Sequence, residues 1–475
     1  MLFNSFIFIF IFFPVVITGY ILLNRFRFFF YAKLWLVLSS LLFCAYGSVS
    51  AIPVMLLSII VNYLIGSFLR RHSIDSDYKN TTVKIILSLG IFFNVSLLSV
   101  FKYADFFVLG INKIADTDIV LFRFIFPLAI SFYTFQQIAY LVDSYRGKTK
   151  RESFLDYCLF VTFFPQLIAG PIVRHNQIMP QFIHPEKKKV NYRNMSIGLY
   201  IFFIGLFKHV VIADSFSLWA NQGFNAVEAL TFLEAWTTSL SYTFQLYFDF
   251  SAYTDMAIGI AYFFNIKLPF NFNSPYKAVN IQLFWRRWHI TLSKFLQDYI
   301  YIPLGGNRKS EYKLYRNILI TFVIGGIWHG TGWTFFLWGV MHGIAAIIFR
   351  LWQKLNIPIP NLLAGFITFN FVNIAWVFFR AKDISNALNV LKGMFGLTLF
   401  SGFSVFKCIG TMDSAMGLVI AILSIIGVFF MKNTNTIPER FKLNRLTLFY
   451  ILIVIFISLL YLNSSVSKEF IYFDF

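Results

Sequence analysis

The sequence predicts an all-α fold, a polytopic bundle of transmembrane helices, on three observations. Of 475 residues, 58% are hydrophobic and 13% charged, against about 45–50% and about 25% in soluble domains. Phenylalanine occurs 63 times, more apolar surface than one globular core hides, so lipid must solvate much of it. Apolar runs of span length recur along the whole chain, without the period-two alternation of a lipid-facing barrel.

A window of about 19 residues places the runs at 1–23, 34–50, 51–69, 84–101, 120–142, 195–213, 235–264, 317–331, 333–350, 361–379, 413–431 and 446–463. About twelve crossings follow, in one integral domain over 1–475 whose residues 446–475 form a last span and an extracytoplasmic tail. The first run has no charge before Arg25 and no small-residue cleavage site, so it is expected to stay as a helix rather than leave as a signal peptide. Arg25, Arg27 and Lys33 follow the first run, Arg70, Arg71, Lys79 and Lys84 the third, and Arg146, Lys148, Lys150 and Arg151 the fifth. Those loops are expected in the cytoplasm, and alternation puts Lys187–Lys189, 265–316 and Arg440, Lys442 and Arg445 there too.

Two stretches break the pattern. Residues 156–173 carry Pro165, Gly170 and Pro171 in an apolar run, which reads as a re-entrant or kinked segment buried in protein or facing a wet cavity. Residues 265–316 are basic and aromatic. Their centre, 281–301, alternates apolar residues with Arg286, Arg287, Lys294 and Asp298 and reads as an amphipathic helix at the inner surface or dipping into the bundle.

The net charge is +19. In a multi-span chain this belongs to cytoplasmic loops meeting anionic lipid; no basic, aromatic-interleaved soluble module speaks for nucleic acid. Cys44, Cys158 and Cys408 sit far apart in apolar runs, so neither a disulfide framework nor a thiolate metal site follows.

Of seven histidines, His72, His175 and His184 fall in polar loops and His209 beside Lys208, where surface roles are expected. His329 differs. It stands between two apolar runs, among Gly325, Gly326 and Gly330, and an ionisable group at membrane depth is a functional candidate because hydrocarbon penalises it. The glycines let helices approach closely or admit a substrate. His329 and His342 are thirteen apart and no H-x-x-x-H or H-E-x-x-H pattern occurs, so a general base is favoured over a zinc ligand. His289 ends FWRRWH. In a helix over 281–300 it shares a face with Trp285, Arg286, Leu292 and Ser293. Trp285, Trp288, Arg286 and Arg287 are then interfacial anchors, or the arginines meet an anionic cofactor while His289 reaches the reacting centre. LGGNR at 304–308 lacks the spacing of a phosphate loop and reads as a turn. Asp249 and Asp255 lie in an apolar run and are expected to cap helix ends or relay protons.

FKYADFF at 101, ISFYTFQQIAYLVDSYRG at 130, FFPQLIAGPIVR at 163, QLYFDFSAYTDMAIG at 245, FWRRWHITLSKFLQDYIYIPLGGNR at 284 and GGIWHG at 325 together resemble the membrane-bound O-acyltransferase family, in its bacterial branch with the alginate O-acetyltransferase membrane subunit. The resemblance implies a bundle with a thin centre pierced from both sides and a cytoplasmic acyl donor, acetyl-CoA or an acyl-carrier thioester. It makes His329 of the W-H-G motif the essential histidine and His289 the second, with Trp285, Arg286, Arg287 and Trp328 around the donor. Expected with it are acetyl transfer to an extracytoplasmic polysaccharide, an extracytoplasmic SGNH-hydrolase-like transferase as partner, and the bacterial inner membrane as location. D-alanyl transfer to teichoic acid is the alternative within the class. A transporter using Asp249, Asp255 and His329 is the alternative outside it, and would show paired interrupted helices in related halves. The ending FIYFDF at 470–475 resembles the tail of the small peptide that accompanies the D-alanylation acyltransferase. That makes Tyr472 a candidate acyl carrier, an interfacial aromatic anchor being the other reading.

Overall fold

The computed structural model describes residues 1–73, 81–124, 127, 129–183, 189–308, 310–398, 415–430 and 433–462. Every regular element among them is helical. The residues group into two compact units, 1–202 with 257–269 and 203–256 with 270–475.

The first unit holds α1 (Phe13–Arg25, entered through a π turn at Phe8–Phe12), α2 (Phe29–Gly47), α3 (Ala51–Ser73), α4 (Thr81–Ala115), α5 (Ile130–Tyr145), α6 (Phe154–Thr162), α7 (Phe164–Leu167), α8 (His175–Ile183) and the start of α9 (Tyr192–Phe207). Phenylalanine builds its core. Phe8 lies edge-on to Phe43 at 5.9 Å and Phe12 edge-on to Phe164 at 5.6 Å, geometries that suit ring quadrupoles. Between α3 and α4, Asn62 and Asn94 exchange side-chain hydrogen bonds of 3.1 and 2.7 Å, which satisfies two amides buried among apolar neighbours.

The broken stretch at 156–173 is α6, a sharp turn at Phe163, α7 and then non-helical chain, with 157–173 buried throughout. Protein groups replace the missing helical bonds: Phe164 N–H donates to Ser40 Oγ at 3.1 Å and Gln166 Nε2 to the Phe160 carbonyl at 2.8 Å. Non-helical backbone survives at such depth only with partners of this kind.

The second unit continues with a π turn at Lys208–Ala213, α10 (Asp214–Phe224), α11 (Phe232–Phe263, whose residues from Ala257 on belong to the first unit), α12 (Ile281–Trp285), α13 (Ile290–Leu296), α14 (Glu311–His329), α15 (Trp333–Leu355), α16 (Asn361–Arg380), α17 (Ile384–Met394), α18 (Ala415–Phe430), α19 (Ile437–Arg440) and α20 (Arg445–Leu462). α14 and α15 pack backbone to backbone. A Cβ on Gly326 would stand 2.4 Å from the Phe335 carbonyl oxygen, and one on Gly339 2.6 Å from that of Phe322. Hydrogen at these positions sets the separation of the two helices.

Among the described residues, eight helices are long and apolar enough to cross a membrane: Phe8–Arg25, Phe29–Gly47, Ala51–His72, Thr81–Ala115, Tyr192–Phe224, Trp333–Leu355, Asn361–Arg380 and Arg445–Leu462. The other four apolar runs are helical too, but differently. In the run at 120–142 the described helix is Ile130–Tyr145, α11 is long but studded with Ser, Thr, Gln and Asp, α14 begins with Glu311, Lys313 and Arg316, and the described part of 413–431 is the 16-residue α18.

Two histidines expected at the surface are buried. His175 is 4% exposed and pairs with Glu152, which also meets Arg70 at 3.7 Å. His209 is 3% exposed and its Nδ1 lies 2.6 Å from Asp249 Oδ1. Its neighbour Lys208 reaches Asp255 Oδ2 at 2.7 Å. A carboxylate in apolar surroundings needs a partner. Where the sequence offered capping or relay, the structure gives Asp249 and Asp255 basic side chains from the π turn. His72 is exposed as expected, and His184 lies outside the described residues.

Candidate functional site

The second unit gathers the candidate residues, beginning with a break that the sequence did not predict. A continuous helix over 281–300 is the expectation, but the chain leaves α12 after Trp285 and starts α13 at Ile290, with His289 between them at φ 40° and ψ 56°. Asn271 is the physical reason. Its carbonyl accepts from Ile290 N–H at 3.0 Å, and its Oδ1 accepts from Thr291 N–H at 3.2 Å and Thr291 Oγ1 at 2.7 Å. These bonds satisfy α13's first donors as a cap does. The single face expected for Trp285, His289 and Leu292 therefore does not exist.

The break turns His289 inward. It is 0% exposed, with its ring edge-on to Phe250 at 4.7 Å and 6.5 Å from the ring of His329. Neither ring nitrogen has a hydrogen-bond partner among the described residues. Burial without a partner pushes its pKa down to about 3, so the imidazole is neutral at physiological pH.

His329 is the last residue of α14 and is 4% exposed. Three aromatic rings surround it: Trp328 at 4.8 Å, Trp338 at 5.1 Å and 87°, and Phe379 at 5.1 Å. α14, α15 and α16 supply them, so the close α14–α15 packing fixes where the imidazole stands. The two histidines paired by the sequence are thus brought to a centroid separation of 6.5 Å.

A cavity of about 290 Å³ is lined by none of these rings, but Trp285 in its wall packs on Trp338 at 5.8 Å. Trp285, Arg286, Gln297, Tyr301 and Arg350 line it. Of the residues expected to hold an anionic donor, Trp285 and Arg286 belong to this wall. Arg287 instead donates through Nη1 to the Ser274 carbonyl at 3.5 Å, and Trp328 packs on His329. Tyr472 lies outside the described residues.

Sequence reasoning missed Arg350 and His342. On α15, Trp338, His342, Ala346 and Arg350 recur every four residues, so each lies close to the next, while the row winds about 120° round the helix from first to last. Ala346 and Arg350 line the cavity, while Trp338 touches His329. Twelve residues of helix rise about 18 Å, the axial separation of Trp338 and Arg350. The four-residue periodicity was visible in the sequence; what it connected was not. LGGNR is the expected turn, with Gly305 and Gly306 at positive φ and Asn317 Nδ2 donating to the carbonyls of Leu304 and Gly306.

An all-helical membrane protein with two buried histidines beside a basic cavity is the architecture of a membrane acyl-group transferase. The chain belongs to the membrane-bound O-acyltransferase family, whose sequence profile matches residues 41–382. It is similar to the peptidoglycan O-acetyltransferase of Helicobacter pylori, at 46% identity over 100% of this chain and 98% of that protein. It is also similar to the probable alginate O-acetylase of Pseudomonas aeruginosa, at 36% identity over 83% of this chain and 75% of that one. Likeness to the teichoic acid D-alanyltransferase of Bacillus subtilis is weaker, 26% identity over 54% of this chain and 69% of the other.

Proposed function

We propose that this O-acyltransferase moves acetyl groups from a cytoplasmic thioester donor to a cell-envelope polysaccharide, with peptidoglycan as the favoured acceptor. The similarity to the Helicobacter pylori enzyme along the whole chain supports acetyl and peptidoglycan over D-alanine and teichoic acid. The bacterial inner membrane is the matching location, and an extracytoplasmic SGNH-hydrolase-like transferase the partner that delivers the group to the glycan.

The observation that carries this reading is the α15 row of residues winding from Arg350 in the cavity to Trp338 against His329. A phosphopantetheine arm, shared by acetyl-CoA and acyl-carrier proteins, has an anionic phosphate at one end and a thioester at the other. Its extended length is comparable with the roughly 18 Å of axial rise along that row. Arg286 and Arg350 are suited to the phosphate, since guanidinium donors match phosphate oxygens. His329 is the general base: a neutral imidazole takes the acceptor's hydroxyl proton as its oxygen attacks the acetyl carbonyl. The carbon–sulfur bond then breaks, an oxygen ester forms, and the proton passes to the departing thiolate. Neutral His289, its ring centred 6.5 Å away, adds polarity to the site without adding charge.

His329→Ala tests the role directly. Transfer is expected to fall about 10²- to 10⁴-fold, the range for losing a general base, with membrane insertion intact. Wild-type transfer by an inserted variant removes His329 from the mechanism. Mass spectrometry of envelope glycan with and without the protein identifies the acyl group and its acceptor; an unchanged ester content refutes the acetylation reading.

A further inference from the structure

His342 has no place in the mechanism above, yet it sits between the cavity and the histidine that does the chemistry. It is 0% exposed, in the α15 row between cavity-lining Ala346 and Trp338. Its Nδ1 accepts the indole N–H of Trp285 at 3.2 Å. A nitrogen that accepts carries no proton, so the ring proton is on Nε2, which has no partner among the described residues. A single hydrogen bond therefore ties down the polar end of Trp285.

Trp285 is the last residue of α12, where the chain turns away toward His289. Its side chain lines the cavity. It also packs on Trp338 at 5.8 Å and 71°, and Trp338 stands edge-on to His329 at 5.1 Å. The indole is thus the wall between the cavity and the ring that touches His329. A tryptophan held only by van der Waals contacts at a helix end can take other rotamers; a buried hydrogen bond selects one.

We infer that His342 is a positioning residue for acyl transfer: through its bond to the Trp285 indole it fixes the cavity wall that aims the donor's acyl end at His329. This rests on the acyl-transfer reading of the cavity, and the test separates the two. Arg350 lies about two turns of α15 from His342 and neither it nor Arg286 bonds to the imidazole, so loss of aim lowers kcat and leaves the donor's KM nearly unchanged. Misplacement of a reacting group by about 1 Å costs on the order of 10²-fold in rate.

The experiment compares His342→Phe, which keeps a ring but offers no acceptor, with His342→Asn, whose Oδ1 takes the place of Nδ1. Trp285→Phe removes the donor, and the double variant Trp285→Phe/His342→Phe closes a thermodynamic cycle. Steady-state transfer from acetyl-CoA is measured for each purified, inserted protein, with His329→Ala as the reference. We expect kcat to drop about ten- to a hundredfold in His342→Phe, KM to stay within about twofold, His342→Asn to recover most of the loss, and the double variant to be no slower than Trp285→Phe. Additive losses in the double variant, or no recovery with Asn while His329→Ala is inactive, overturn the positioning role and leave the acyl-transfer reading standing. Full transfer by His329→Ala overturns that reading and this inference with it.

Discussion

Replacing Gly339 by alanine tests whether the separation of α14 and α15 sets the geometry of the site. The added methyl would lie 2.6 Å from the Phe322 carbonyl oxygen and 3.1 Å from the Val323 Cα, where ordinary contact begins at 3.4 Å. Both obstacles are backbone, so no side chain can swing aside. The helices must part by about 0.8 Å to restore contact with the oxygen. His329 rides on one helix and Trp338 on the other, so this displacement passes into the site. Overpacking of this kind costs about 1–3 kcal/mol, which a protein of this size survives, whereas misalignment near 1 Å costs on the order of 10²-fold in rate. The expected result is a well-inserted protein with a modestly lower unfolding temperature and kcat down by about that factor. Gly365→Ala is the control: nothing lies within 4 Å of its Cβ, and alanine in a helix is favoured over glycine by about 1 kcal/mol. Unchanged kcat in Gly339→Ala, with Gly365→Ala also unchanged, would refute the proposed coupling between helix separation and catalysis.

Three further perturbations address other parts of the molecule. Arg350→Gln removes one cation from the cavity and is expected to raise the donor's KM several-fold with little effect on kcat; an unaltered KM in steady-state assays removes Arg350 from donor binding. Asp255→Leu leaves Lys208 buried without its carboxylate and should lower stability by about 3–5 kcal/mol, whereas Lys208→Met/Asp255→Leu should recover most of it, as read by thermal unfolding in detergent; equal losses in both would deny the pairing its role. Tyr472→Phe keeps an aromatic anchor and removes the phenol, so abolished transfer to the glycan with donor binding intact is the outcome for an acyl relay, and full activity rejects it.

Composition and periodicity made the membrane class legible, because lipid solvation leaves its mark on every span. His329 stood out as a candidate for the same reason, since hydrocarbon penalises an ionisable residue among glycines and apolar runs, and the structure buries it. His289 was singled out on a helix that is broken at that residue. Helical periodicity placed it on a cationic face, but Asn271, eighteen residues earlier, caps a new helix and turns the ring inward. No local pattern announces such a cap. The burial of His175 and His209 was hidden in the same way, since Glu152 and Asp249 lie 23 and 40 residues from their partners. Polar neighbours in sequence suggested solvent, while tertiary pairing placed both rings in the interior.

The left-handed backbone at 289 has a practical consequence for mutational scanning. Histidine and alanine both carry a Cβ and share the cost of roughly 1–2 kcal/mol for that conformation, but alanine also lacks the polar side chain that makes histidine more common there, so a single readout mixes chemistry with chain geometry. Asparagine and glycine tolerate that conformation best. A comparison of those two with alanine separates what the ring does from what the bend does, and a scan built on alanine alone will overstate the ring.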